Sequence, residues 1–95
     1  MRLDIGEGTT NMTSFLVESY RPRSDETPVA DLSERARFAA DPGSGIVYVS
    51  SILVAADETC FHLFEAPSAD AVVLALRRAG ISCDRITEAV VNTAG

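Results

Sequence analysis

Cys60 and His62 are the residues of this chain whose types and spacing best suit chemistry: a thiol and an imidazole two positions apart in an extended segment project from the same side of it. Imidazole changes charge near neutral pH and is the commonest metal ligand, while a thiolate is a nucleophile and a soft metal donor. The chain has one histidine, so the pair supplies two donors. Two copies meeting through that surface would supply four, a set suited to nickel, copper or zinc. A half-buried sheet histidine satisfied by a hydrogen bond is the plain alternative for His62. Glu65, at the end of the same segment, is a carboxylate placed for acid or base work or simply for solvent. Cys83 reads as a small buried apolar residue, and the spacing of the two cysteines matches no metal-ligand or redox motif, so both are expected as reduced thiols.

The segment that positions Cys60 and His62 is a strand handing over to a helix. From Thr59 to Glu65 side chains alternate, with Phe61 and Leu63 on one face and Cys60, His62 and Phe64 on the other. Pro67 ends the ladder, Ser68 is placed to cap a helix, and Asp70 suits the positive end of that helix. Phe61 and Leu63 are expected to face the helices together with Val72 and Leu76. The opposite register, with Cys60 and Phe64 toward the core, stays open, and the exposure of His62 decides between them.

Around that unit the chain divides readily. Residues 1 to 11 lack periodicity and read as a tail, with Met12 a candidate natural start. Residues 13 to 20 are rich in strand formers and end at Arg21-Pro22. Thr27 before Pro28 predicts a capped helix over 28–40, with Val29, Leu32, Ala36, Ala39 and Ala40 at helical spacing and a solvated face of Asp31, Glu34, Arg35 and Arg37. Asp41-Pro42-Gly43-Ser44-Gly45 stops that helix. Its glycines precede a strand instead of opening a helix, which argues against a phosphate loop and a nucleotide cofactor. Residues 46 to 54 form a long strand joined by a short hairpin, 55–58, to the strand of Cys60 and His62. A second helix over 69–79 carries Val72, Val73, Leu76 and Ala79 and ends at Gly80, and residues 85 to 91 alternate as a fourth strand. The order β-α-β-β-α-β predicts an α+β fold of ferredoxin-like type, a four-stranded antiparallel sheet with two helices on one face, as a single domain over 12–95.

Ninety-five residues, 46% of them hydrophobic, suffice for one core, although about 40% of the unfolded chain's surface stays exposed at that size. The net charge of −6 and pI near 4.5 argue against nucleic acid and against anionic membranes. No apolar run approaches the roughly 20 residues that span a bilayer, and the polar opening residues do not resemble a signal peptide, so a cytoplasmic protein is expected.

The runs Tyr48-Val49-Ser50-Ser51-Ile52-Leu53-Val54, Asp57 through Ala71, and Arg78-Ala79-Gly80-Ile81 with Asp84-Arg85 are similar to those of a family of small bacterial proteins, largely of unknown function and sometimes named for a nickel-binding member. The Phe-x-Leu-Phe-Glu-Ala-Pro-Ser run followed by Arg-Ala-Gly carries most of that resemblance. It implies a ferredoxin-like α+β fold, a homodimer, and nickel as a recorded ligand of at least one relative.

The expected function is therefore binding of a transition metal, through His62 and Cys60, or of a small ligand on the open sheet face. Tyr48, Ser50, Ile52, Phe64 and Glu65 would line that ligand site. The alternative is a cofactor-free enzyme acting on a small or aromatic metabolite in a sheet-face pocket. No serine, histidine and acid fall into a triad pattern. A homodimer is expected because Tyr48, Ile52, Cys60 and Phe64 would otherwise leave an apolar patch on the uncovered face.

Overall fold

The computed structural model describes residues 12–92; the tail expected at 1–11 lies outside them. Four strands, β1 (Thr13–Tyr20), β2 (Val47–Val54), β3 (Thr59–Ala66) and β4 (Arg85–Ala89), alternate with two helices, α1 (Val29–Ala39) and α2 (Ala69–Ala79), in the order β1-α1-β2-β3-α2-β4. The strands form one sheet of spatial order β2-β3-β1-β4 in which every neighbouring pair is antiparallel. This is an α+β, ferredoxin-like arrangement. Among the described residues no helix is long and apolar enough to cross a membrane.

Both helices lie on one face of the sheet. Ala36 and Ala39 of α1 and Val72, Ala75 and Leu76 of α2 share a buried cluster with Phe15, Val17, Phe64 and Ala66 from the strands. Helix α2 forms as its residues require. The Ser68 hydroxyl accepts the Ala71 N–H at 3.2 Å, and Gly80 closes the helix at φ 72, where the Ile81 N–H reaches back to the Leu76 carbonyl at 2.9 Å. Helix α1 starts differently from the expectation. Pro28, not Thr27, holds the cap position without a side-chain bond, because the Thr27 hydroxyl and N–H both turn back to Asp25 Oδ1, at 2.6 and 3.0 Å. The final strand ends at Ala89, two residues early.

The face expected to cover the helices is the other one. Cys60, His62, Phe64 and Ala66 are 0–3% exposed beneath the helices, whereas Phe61 and Leu63 lie half-buried on the opposite face. The pairing explains the choice. On β1, Phe15, Val17 and Ser19 stand opposite Phe64, His62 and Cys60, so this side gathers the larger share of apolar surface and receives the helices. The polar ring among these residues is tolerated because it is hydrogen-bonded.

A second departure lies in β2. Tyr48 pairs with Phe64 and Ser50 with Leu63, so Val49 is an extra residue and the ladder bulges there. Strict alternation would put Tyr48, Ser50 and Ile52 together. The bulge sends Tyr48 and Ser51 to the helix-covered side and Ser50 and Ile52 to the uncovered one, where Leu16, Phe61 and Leu63 also lie.

Because Phe64 is fully buried and stacks edge-on against Tyr48, with ring centroids 5.8 Å apart, Phe64→Ala should cost about 3–5 kcal/mol. Ile52→Ala, at a site 58% exposed, should cost less than about 1 kcal/mol. Urea denaturation of both variants measures the difference, and equal losses would contradict the register.

Candidate functional site

His62 and Cys60 sit at one end of the helix-covered face, where the sheet is not fully roofed. The chain leaving β1 (Tyr20, Arg21, Asp25), the first turns of α1 (Leu32, Arg35) and the segment after α2 (Gly80, Ile81, Ser82) form with them a half-open cavity of about 180 Å³, also lined by Ser19. That is roughly ten times the room a single water needs. Its walls are tied together by hydrogen bonds between elements distant in sequence. The Ser19 hydroxyl donates to the Ser82 carbonyl, the Tyr20 N–H to Asp84 Oδ2 at 2.6 Å, and the Arg21 N–H to the Glu58 carbonyl at 2.8 Å.

A chain of hydrogen bonds orients the imidazole. Ser33 Oγ on α1 lies 2.6 Å from Tyr48 OH, which lies 2.7 Å from Ser51 Oγ, which in turn lies 2.7 Å from His62 Nδ1. The tyrosine is held from above by Arg37, whose guanidinium carbon stands 5.3 Å from the ring centroid. Ser51 occupies Nδ1, and Nε2 has no hydrogen-bond partner among the described residues, so it is the ring nitrogen left for a guest. An anchored nitrogen with its twin free is how proteins present histidine to a ligand or a reacting proton.

Burial sets the protonation states. His62 is held below the ordinary imidazole value by loss of solvent, so the ring is neutral at neutral pH. The Cys60 thiol is pushed up by burial, with nearby Arg21 pulling weakly the other way, so the thiol keeps its proton. The Asp25 carboxyl is lowered, first by the hydroxyl of Thr27, then by its N–H, with Arg21 and Arg35 adding to the effect. Cys60 and Cys83 are free cysteines.

Of the residues singled out in the sequence, the structure brings together His62 and Cys60, on the covered face and not on the open one. Tyr48 reaches the site only through Ser51. Phe64 belongs to the core, while Ser50, Ile52 and Glu65 lie on the uncovered side, away from the cavity. Among the described residues no three His, Cys, Asp or Glu side chains converge as a metal site. Arg21, Asp25, Arg35, Ser51 and Ser82 were not anticipated. The sequence places Arg35 on the solvated face of α1, and at the cavity mouth it is exposed. Ser51 escaped notice because alternation assigns it to the side away from Tyr48.

No family model and no curated protein matches the chain. Among solved structures, the crystal structure of SCO4226 from Streptomyces coelicolor A3(2) matches with a TM-score of 0.68 at 22% identity, over 84% of this chain and 99% of that one. At that identity the likeness concerns the fold alone, and it agrees with the ferredoxin-like class defined by the strand order.

As the chain's one histidine, His62 gives a single imidazole titration, which NMR should place below the ordinary value of about 6.5. A folded value below the unfolded one means that the unfolded chain takes up the proton first. His62 therefore contributes full stability above about pH 6.5 and loses it as pH falls toward the folded value. Urea midpoints measured from about pH 7.5 to 5.5 should fall more steeply in the wild type than in His62→Gln. An imidazole titrating at or above the free value would contradict the buried, neutral ring.

Proposed function

We propose that the protein is a small cytoplasmic binding protein that takes a small organic molecule in the cavity floored by Cys60 and His62. The observation that supports this reading most is the state of His62: a buried, neutral ring, held at Nδ1 by the chain from Ser33, with Nε2 unoccupied beside a cavity. A fixed, neutral ring nitrogen at the wall of a cavity is placed to share a hydrogen bond with a guest. The site therefore moves from the uncovered face, where the sequence placed it, to the space between sheet and helices.

A cofactor-free enzyme is the second reading, and the same relay favours it, since a base oriented by a third group is the arrangement of general-base catalysis. His62 would be the base. Cys60, kept protonated by burial, is poorly prepared as a nucleophile. Nickel or another transition ion is a weaker reading of the same floor, because two donors beside the cationic Arg21 do not make a coordination sphere.

The uncovered face suits a second copy of this chain. Leu16, Ile52, Phe61 and Leu63 form its centre, and the Glu18–Arg85 pair, 3.8 Å across β1 and β4, lies beside them. A symmetric dimer would bury this surface and leave each cavity open.

Screening metabolites by thermal shift should yield stabilising ligands whose affinity drops at least about tenfold in Ser82→Trp, which plugs the cavity rim. Binding that survives the plug would sink the cavity reading. Light scattering should show a dimer at about tens of micromolar that Ile52→Glu converts to monomer with ligand affinity unchanged; a monomeric wild type would rule the dimer out.

A further inference from the structure

The cavity holds two guanidinium groups and one carboxylate, and one oxygen of that carboxylate is taken up by Thr27. Asp25 Oδ1 accepts both the N–H and the hydroxyl of Thr27. Among the described residues neither Arg21 nor Arg35 has an acidic partner within ion-pair distance; the pair that forms on α1 joins Glu34 to Arg37, at 3.9 Å. Arg21 donates one Nη to the Thr27 carbonyl, which holds the guanidinium in place, while its Nε is buried with no hydrogen-bond partner among the described residues. With His62 neutral, the cavity carries a net charge of one positive unit, counting Arg21 and Arg35 against Asp25, within a chain of net charge −6.

A cationic pocket in an otherwise acidic protein selects for an anion. The planar guanidinium fork matches a carboxylate through paired N–H···O bonds. The single surplus charge fits a monoanion better than a phosphate monoester, which carries about −1.5 to −2 at pH 7. Leu32 and Ile81 supply apolar wall beside these polar groups. We infer that the cavity takes a small organic monocarboxylate, its carboxylate held by Arg21 and Arg35 and its short apolar body against Leu32 and Ile81. This rests on the reading of the cavity as a ligand site and adds the class of ligand.

The test titrates the full-length protein with 3-methylbutanoate and with 3-methylbutanamide, which has the same shape and no charge, following backbone amide shifts of Cys60, His62 and Ser82 by NMR. The acid should bind at least about tenfold more tightly than the amide. Arg35→Gln, a substitution at an exposed position outside the core, should remove most of that preference while leaving the amide's affinity in place, and added salt should weaken only the acid. Arg21→Lys, which keeps the charge and loses the fork, should weaken the acid less than Arg35→Gln combined with Arg21→Gln. An amide that binds as well as the acid would overturn the monocarboxylate inference and leave the cavity as a site for neutral ligands. Inorganic phosphate producing the same shifts at the same affinity as the acid would overturn it too, since the apolar body would then contribute nothing. If neither organic probe moves these amides at about 10 mM, the monocarboxylate inference fails; if the metabolite screen also yields no ligand sensitive to Ser82→Trp, the cavity reading fails with it.

Discussion

Burying an imidazole constrains this molecule more than any other single feature. The face that carries His62 also carries Phe64, Cys60 and Ala66, and it can lie under the helices only if the ring's nitrogens are provided for. Ser51 provides for one of them at 2.7 Å. That bond requires Ser51 to point to the same side as Tyr48, three residues earlier, which a regular strand forbids and a one-residue bulge at Val49 permits. The bulge, the serine and the buried histidine are thus one device. Through Tyr48 and Ser33 it ties the edge strand β2 to helix α1, and through His62 it ties both to the central strand β3.

The second nitrogen is left at a gap in the roof. Helix α1 starts at Val29 and α2 stops at Gly80, so at this end of the sheet the covering comes from the segments that leave β1 and α2. Those segments are pinned by their backbone and by short polar side chains, with Ser19 bonded to the Ser82 carbonyl and Tyr20 to Asp84. A loop held in this way can carry a charged side chain such as Arg21 beside buried groups without folding over them, and the first turns of α1 add Arg35. The cavity therefore combines a neutral, oriented base, a protonated thiol and a surplus positive charge within an acidic protein.

Much of the architecture was legible along the chain, because each element carried its own signal. The strand-forming run before Arg21-Pro22, the Ser68 cap, the apolar stripe of α2 and the positive-φ Gly80 are local features, and the structure shows β1 and α2 with the bounds they indicate. The start of α1 was misread for an equally local reason. A threonine before a proline looks like a cap, but Asp25 competes for its hydroxyl at 2.6 Å. The candidate site was half legible: the alternation that joined Cys60 to His62 holds, while the side of the sheet they occupy, and most of their neighbours, did not follow from it.

By itself the sequence determined the element order, the fold class that order permits, and the pairing of thiol and imidazole on one face, since all three depend on periodicity and on local backbone preference. Only the tertiary structure decided which face is buried. Both sides of β3 are apolar enough to be core, and the choice rests on what β1 and β2 place opposite them. It also decided that Tyr48 and Ser51 meet, because a bulge arises from the pairing of two strands and has no signature in either one. Arg21 and Arg35 line one cavity with His62 from a strand end and a helix, 41 and 27 positions away in the chain. Such proximity is a property of the folded chain, and no spacing rule along it carries that information.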